Sequence, residues 1–350
     1  MLSLLLTGLF SQVAYHASPT LEYSPAGDMI LVEWQEKTNT QSTLAIIDNS
    51  GQMLHKITSP TGQSARMGSW SSTGNAVLFL SHNTPTAYFL QSSTYSSFPV
   101  DIIPPICWTG NDGFLGVTRE NLMNYVSWVG LANKKISNKH RAETGDIKKM
   151  LWIELSNGAA FIKEEAGKTN IFALEYGEYR AITTTGDIFD AQTLKNRSKL
   201  VWSRKSPNLK YILTSLWEYD LRLRTVQRLP LPDRVNLINP TPQQSPTSID
   251  AIAISPECKK VLITARFTEP DPQKRGSVKT RLSLFVVNID GSNAKLIRTI
   301  DRASVRDTFQ IAWSPNERNF AVLEKREKSM TLDVYNSDGT GQRRVFYHQL

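Results

Sequence analysis

The chain has 350 residues, of which 40% are hydrophobic and 21% charged, a composition typical of a globular protein with a large core. Its formal net charge of +8 favours acidic partners and says nothing about the fold. Two cysteines, Cys107 and Cys258, are too few for a disulfide scaffold or a cysteine-based zinc site. No stretch approaches the roughly 20 apolar residues of a membrane-spanning helix, which predicts a soluble protein.

Residues 1–17 leave two interpretations open. The run from Leu2 to Phe10 has the length of a signal-peptide core, and Ala17 is suited to precede a cleavage site. No Lys or Arg stands ahead of that run, however, and the segment also fits a β-strand that completes the last element of a closed fold. A signal peptide would place the protein in the periplasm or outside the cell; otherwise it would remain in the cytoplasm.

A turn motif recurs along the chain, and each copy is followed by a short apolar run. The clearest copies are Tyr23-Ser24-Pro25, Trp70-Ser71-Ser72, Ile254-Ser255-Pro256 and Trp313-Ser314-Pro315, with looser copies at Trp108 and Ser206. The Ser hydroxyl is able to bond the turn backbone, and Pro presets φ for the next position. The apolar runs have the length and the Val, Ile and Leu content of buried strands.

A second type of turn follows the first at a variable distance. Ser50-Gly51, Asp290-Gly291 and Asp338-Gly339 each separate two strand-like segments, and Asn157-Gly158 looks like a fourth case. Glycine supplies the positive φ that such hairpins require. Each repeat therefore reads as four antiparallel strands, at the spacing of a β-propeller blade.

With these turns and hairpins, the sequence resembles the TolB-type, WD40-like (PD40) β-propeller family. The resemblance implies an all-β, single-domain propeller of four-stranded antiparallel blades over residues 18–350. It is clear at 20–81 and 249–348 and degenerate between 104 and 230. The count favours seven blades, near 20–60, 66–100, 104–165, 170–202, 205–232, 249–300 and 308–348, over a six-bladed alternative with larger insertions. Trp70, Trp108, Trp202 and Trp313 fall at equivalent positions, which predicts packing between blades.

Three segments do not read as blade strands. Residues 133–150 form a basic insertion, 230–246 a Pro-rich linker, and 271–281 a second basic loop. Loops on rigid scaffolds often carry function, so their basic residues are candidates for binding an acidic partner, with solvated insertions as the alternative. The candidates are Lys134, Lys135, Lys139, Arg141, Lys148, Lys149, Lys274, Arg275, Lys279 and Arg281. The scarcity of aromatic residues in both loops argues against binding of single-stranded nucleic acid.

No catalytic, cofactor-binding or metal-binding constellation is recognisable. The five histidines are scattered, and no G-x-S-x-G nucleophile elbow is present. Gly167-Lys168-Thr169 suggests a phosphate loop, but that motif requires a glycine where Ile162 stands and a helix afterwards. We interpret residues 163–168 as a polar loop between blades.

The sequence therefore favours a non-catalytic scaffold that binds protein partners through the propeller rim or the central opening. One alternative is an enzyme of the lyase or hydrolase type acting on an anionic glycan in the channel. His, Gln or acidic residues converging at one mouth of the ring would support it. The other alternative is a polyanion-binding module, whose affinity would fall steeply with salt. No motif specifies an oligomeric state.

Overall fold

The computed structural model describes residues 20–35, 41–60, 62, 64–110, 112–121, 123–142, 145–153, 158–194, 198–204, 215–231, 247–271, 273 and 277–349. These residues contain 28 β-strands and no helix. The strands form seven sheets of four, each antiparallel and each built from consecutive strands. The predicted all-β propeller with seven blades is confirmed, and the six-bladed alternative is wrong.

The first four blades are numbered here along the chain, from the innermost strand of each to the outermost. Blade one holds β1 (Leu21–Tyr23), β2 (Met29–Gln35), β3 (Ser42–Asp48) and β4 (Met53–Ile57). Blade two holds β5 (Ala65–Trp70), β6 (Ala76–Ser81), β7 (Thr84–Phe89) and β8 (Thr94–Ser97). Blade three holds β9 (Ile103–Thr109), β10 (Gly113–Glu120), β11 (Met123–Gly130) and β12 (Ile136–Arg141). Blade four holds β13 (Asp146–Ile153), β14 (Gly158–Glu165), β15 (Lys168–Glu175) and β16 (Glu178–Ala181).

The remaining three blades follow the same order. Blade five holds β17 (Ile188–Leu194), β18 (Lys199–Arg204), β19 (Leu216–Asp220) and β20 (Thr225–Arg228). Blade six holds β21 (Ser248–Ile254), β22 (Lys260–Pro270), β23 (Val278–Asn288) and β24 (Lys295–Ile300). Blade seven holds β25 (Thr308–Trp313), β26 (Asn319–Lys325), β27 (Ser329–Asn336) and β28 (Arg343–Gln349).

Antiparallel order gives the ring two distinct faces. The turns after the first and third strands of each blade lie on one face, which we call the Ser-Pro face. The turns after the second strands and the links between blades lie on the opposite face, which we call the connection face. Apolar clusters fill the spaces between neighbouring blades, for example where Leu78 and Phe98 of blade two meet Phe114 of blade three.

The blade boundaries that the sequence predicts in the middle of the chain are wrong. Residues 133–150 are not an insertion, because they hold β12 and the beginning of β13. β12 is an outermost strand whose residues are mostly exposed, so it lacks the apolar alternation that marks a strand in sequence. The second basic loop is also shorter than expected, since β23 already begins at Val278.

Other expectations fall partly or wholly outside the described residues. These include the N-terminal segment 1–17, the turn copy at Ser206 and most of the Pro-rich linker, of which only Pro230 and Leu231 are described. The Gly167-Lys168-Thr169 segment is a hairpin inside blade four, between β14 and β15, so the expected loop between blades is wrong. A strand follows it, where a phosphate loop requires a helix.

The Ser-Pro turns have the geometry that their sequence predicts. The hydroxyl of each turn serine accepts a hydrogen bond of 3.1 Å from the amide five residues later; these serines are Ser24, Ser71, Ser255 and Ser314. Each of them is almost fully buried. The hydroxyl thus satisfies a backbone donor that the turn itself leaves unpaired. Pro25, Pro256 and Pro315 stand around the opening of the channel on this face.

A tryptophan on the innermost strand links three pairs of neighbouring blades. The indole Nε1 donates to a carbonyl oxygen on the innermost strand of the preceding blade: Trp70 to Glu22 (3.2 Å), Trp108 to Ser69 (2.9 Å) and Trp313 to Ala253 (3.0 Å). These three tryptophans therefore link neighbouring blades. Trp202 does not occupy an equivalent position, because it lies on the second strand of blade five, buried in an apolar cluster.

The fourth member of the tryptophan series is Trp152, which the sequence analysis passed over. Trp152 and Trp108 occupy the same position in their blades. In the pairing of the first strand with the second, each lies in the pair next to the turn-closing pair: Trp152 opposite Ala159, and Trp108 opposite Phe114. Its Nε1 is buried and has no hydrogen-bond partner within the described part of the chain. The link present at three junctions is thus missing between blades three and four.

The ring closes between blades one and seven by apolar packing. Among the described residues, blade seven takes all four of its strands from residues 308–349, and blade one takes its four from residues 21–57. Tyr23, Ile30 and Trp34 of blade one share a cluster with Leu332 and Val345 of blade seven. Tyr23 stands at the position that tryptophan holds in other blades, and burial raises the pKa of its hydroxyl.

Four aspartates at the turns between third and fourth strands should make the stability of the fold depend on pH. Hydrogen bonds to the carboxylates hold the pKa of each below its ordinary value: the Ser50 hydroxyl on Asp48, the Leu223 amide on Asp220, the Ser292 hydroxyl on Asp290 and the Thr340 hydroxyl on Asp338. Because the folded pKa lies below the unfolded one, this stabilisation is present above the unfolded value and is lost as pH falls through the folded value.

We therefore expect the urea midpoint of unfolding to fall as the pH drops from about 5 to about 2. The double variant Asp290→Ala and Asp338→Ala removes two of these carboxylates, so its midpoint should depend less steeply on pH. Asp101→Ala, at an exposed aspartate outside these turns, is the control. Equal slopes for the double variant and the wild type would contradict the assignment.

Candidate functional site

The central channel widens into a cavity on the connection face, with a volume of ≈ 780 Å³. All seven innermost strands contribute to its wall. Each of these strands lies at the edge of its sheet, and its channel side has no paired strand. Backbone groups along these edges are therefore open to hydrogen bonds from a guest in the channel.

β-Bulges shape the wall of this cavity. The innermost strands of blades two to six each depart from regular pairing, and the extra residues lie at Met67–Gly68, Pro104–Ile106, Lys148, Phe189 and Asp250. A bulge redirects the side chain of the extra residue. Residues from all five bulges line the cavity, so the bulges form most of a ring around it.

The bulge of blade two is held by a buried carboxylate. Glu33 Oε2 accepts hydrogen bonds from the Met67 amide (2.9 Å) and from the Thr20 hydroxyl (3.0 Å). Burial raises the pKa of Glu33, although these hydrogen bonds and Arg66 oppose the rise. Glu33 thereby ties the entry of blade one to the bulge of its neighbour.

Charged groups in the cavity occur in pairs of opposite sign. Lys149 Nζ lies 2.7 Å from Asp190 Oδ1, across the junction between blades four and five. Lys148 lies 3.6 Å from Glu164 and 3.7 Å from Asp146. Asp250 bonds Arg266 at 2.6 Å, and that guanidinium also reaches two carbonyl oxygens in the link to blade seven. The wall is therefore polar, with its charges largely compensated in place.

Two glutamines line the channel and differ in their hydrogen bonding. Gln192 bonds both backbone groups of Ile254, with its Nε2 2.7 Å from the carbonyl oxygen, and so joins blades five and six. Gln310 lies on the cavity wall, and both polar atoms of its amide are buried without a partner within the described part of the chain.

The histidines lie away from the channel. His55, His140 and His348 are on the outermost strands of blades one, three and seven, and His82 is in the turn between β6 and β7. His16 lies outside the described residues. Among the described residues, no group of three His, Cys, Asp or Glu side chains is arranged to hold a metal ion.

The basic candidates from the sequence divide between the two faces. Lys134 and Lys135 lie in the turn after β11, on the Ser-Pro face, where the Lys134 ammonium is 5.9 Å from the Phe98 ring centroid. Lys139 and Arg141 lie toward the other end of β12, on the connection face. The structure therefore does not bring these four residues of blade three together.

Four of the other basic candidates lie on the connection face of blades four and six. Lys148 and Lys149 are inside the cavity, whereas Lys279 and Arg281 lie on the long hairpin of blade six, 2.8 and 3.6 Å from Glu269. Arg281 is almost fully buried. Lys274 and Arg275 lie outside the described residues.

A second cavity, of ≈ 640 Å³, opens between blades three and four on the Ser-Pro face. We call it the blade 3–4 cleft. Its walls are Leu115 and Trp128 of blade three and Leu174 of blade four, and small residues at 158–159 leave space between them. Other residues that line it are Thr109, Gly110, Asp112, Ser137, Asn138, His140, Tyr176 and Gly177. No sequence signal marks this cleft, because its residues come from six strands and two turns of two blades.

Similar solved structures are β-propellers of low sequence identity. The β-propeller domain of the Trilobed protease from Pyrococcus furiosus has a TM-score of 0.58 and 12% identity, over 93% of this chain and 94% of that one. The β-propeller domain of Cps50 (Swd1) from Myceliophteria thermophila has a TM-score of 0.58 and 11% identity, over 91% and 96%. Oligogalacturonate lyase from Vibrio parahaemolyticus has a TM-score of 0.60 and 9% identity, over 86% and 84%.

No protein-family model and no curated protein matches the sequence. This chain also spans only 52% of an acylaminoacyl peptidase that it resembles in structure. Likeness at such identities shows the fold, and one fold serves many functions. Within the described ranges, no helix is long and apolar enough to cross a membrane.

Proposed function

We propose that this protein is a non-catalytic interaction scaffold that receives an extended segment of a partner protein in the connection-face cavity. The wall of that cavity supports the proposal. Free edges of innermost strands offer backbone donors and acceptors, and bulges add side chains of varied chemistry, among them Met67, Lys148 and Phe189. Recognition of an extended peptide requires this combination of backbone hydrogen bonds and side-chain contacts. The Ser-Pro turns further support kinship with TolB-type propellers.

The ion pairs of the lysines and the positions of the histidines favour a scaffold over a polyanion-binding module and over a lyase. A polyanion-binding surface requires cationic groups free to replace counterions, whereas Lys139, Lys149 and Lys279 already lie against carboxylates. A lyase of the kind that holds its metal with histidines requires several of them in the channel. The described histidines lie elsewhere on the ring, on outermost strands and in one turn.

A capture experiment with three baits tests the proposal. The baits are the wild type, Phe189→Asp on the cavity wall, and Tyr347→Asp on outermost strand β28, where the side chain is already half exposed. We expect a discrete protein to be retained at physiological salt by the wild type and Tyr347→Asp, and to be lost from Phe189→Asp. Circular dichroism checks that all three baits are folded.

Other patterns would count against the proposal. A partner retained equally by all three baits would place recognition outside the cavity. Material that leaves every bait as the salt rises would indicate polyanion binding instead.

A further inference from the structure

The blade 3–4 cleft exists where a link between blades is missing. At three junctions, the indole of the innermost strand donates to the preceding blade. At this junction, the Trp152 ring instead meets the Trp128 ring edge to face, with centroids 5.1 Å apart. The Trp152 N–H is left without a partner among the described residues. A buried donor without an acceptor destabilises a fold, so this junction is held less firmly than the three junctions that have the indole hydrogen bond.

Tyr176 gives a second, independent indication of a site. Its side chain is 70% exposed although it is aromatic, and its φ of +53° is in the left-handed region, which is costly for a bulky residue. It lies in the turn between β15 and β16, where Asn or Gly would fold with less strain. Tyr176 lines the cleft, and its exposed ring is open to an occupant there.

The charges of the cleft differ from those of the whole protein. The chain contains 40 Lys and Arg residues against 32 Asp and Glu, yet none of the described cleft residues is Lys or Arg. Asp112, which is exposed, is the one carboxylate among them. Trp128 and Tyr176 add aromatic rings, whose faces attract cations. An anion would find no Lys or Arg among these residues and only His140 as a basic side chain, whereas a cation would find a carboxylate and two rings.

We propose that the blade 3–4 cleft binds a lysine or arginine side chain presented by a protein partner. The aliphatic stem packs between Leu115 and Leu174, and the cationic head lies against Trp128, Tyr176 and Asp112. Long basic side chains suit such a site because they join an apolar stem to a charged end. This inference rests on the proposed scaffold function, and it adds a specific contact on the opposite face of the ring from the cavity.

Small probes test the cleft without any partner. The probes are N-acetylarginine amide, its neutral analogue N-acetylnorleucine amide and the anionic N-acetylglutamate amide. The readout is the set of indole N–H signals in heteronuclear NMR spectra of the full chain, with Trp128 and Trp152 assigned through Trp→Phe variants. We expect the arginine probe to shift these two signals, and the other two probes to leave them in place.

Two variants and a matched control locate the contact. Tyr176→Asn removes the aromatic ring and introduces a residue that tolerates the left-handed backbone of this turn. Asp112→Asn removes only the charge. Each variant should weaken the binding of the arginine probe by roughly 2- to 30-fold, which is the range of a cation–π contact or a partly exposed charge pair. Leu223→Asn changes an equally exposed residue in the corresponding turn of blade five, outside the cleft, and should have no effect.

The alternatives have distinct outcomes. If the norleucine probe shifts both indole signals as strongly as the arginine probe, the cleft is an apolar pocket and the cationic occupant is wrong. If no probe shifts them, or if Tyr176→Asn and Asp112→Asn bind unchanged, the site itself is wrong. Neither result bears on the capture experiment at Phe189, which tests the scaffold separately.

Discussion

Gly51→Ala is expected to destabilise the ring more than Gly177→Ala. The two glycines occupy corresponding turns, between the third and fourth strands of blades one and four, with φ of +98° and +82°. Alanine at either position costs about 1–2 kcal/mol for the left-handed backbone. A Cβ on Gly51 would also lie 2.4 Å from the Val345 carbonyl oxygen of blade seven, whereas Gly177 has nothing within 4 Å.

The extra cost at Gly51 measures how tightly the seam is closed. Backbone cannot yield as a flexible side chain does, so blades one and seven must separate slightly to admit the new methyl group. Overpacking of this kind costs about 1–3 kcal/mol beyond the backbone term. Free energies of unfolding, from urea titrations followed by tryptophan fluorescence, provide the comparison. Equal values for the two variants would mean that the seam is looser than the packing of Val345 indicates.

The Ser-Pro turns show which features a sequence reveals. Ser24 and Ser314 bond amides five residues later, so the chemistry is complete within one short segment and is visible without knowledge of the fold. The same locality explains why seven blades were countable. β12 escaped detection because an outermost strand meets solvent along much of its surface, and its residues 136–141 need not alternate between apolar and polar.

The candidate sites depend on relations that a sequence does not display. The bulges at Lys148 and Phe189 are mismatches between two strands, so neither strand reveals them by itself. Trp202 resembles a member of the tryptophan series because its Trp-Ser pair imitates the turn motif, yet it lies within a strand. Trp152 was missed because the residues that follow it, 154–157, contain no Ser-Pro pair.

Trp313→Phe is expected to destabilise the protein by more than Trp152→Phe. The Trp313 ring packs against Phe320 with centroids 5.3 Å apart, and its N–H satisfies the Ala253 carbonyl in a buried setting. Phenylalanine keeps most of the packing but removes this hydrogen bond, at a cost of about 0.5–1.5 kcal/mol. Trp152→Phe makes a similar change of ring size and removes an N–H that has no partner among the described residues, so this cost is absent.

The difference between the two Phe variants isolates the hydrogen bond between blades, because the loss of ring volume is common to both. Trp313→Ala sets the upper bound at about 3–5 kcal/mol, since it removes the packing as well. Urea titrations of all three variants give the values. A Trp152→Phe variant as unstable as Trp313→Phe would mean that the Trp152 N–H has a partner after all. The junction between blades three and four would then be as tightly linked as the three junctions that have the indole hydrogen bond, and the physical reason for a cleft at that place would disappear.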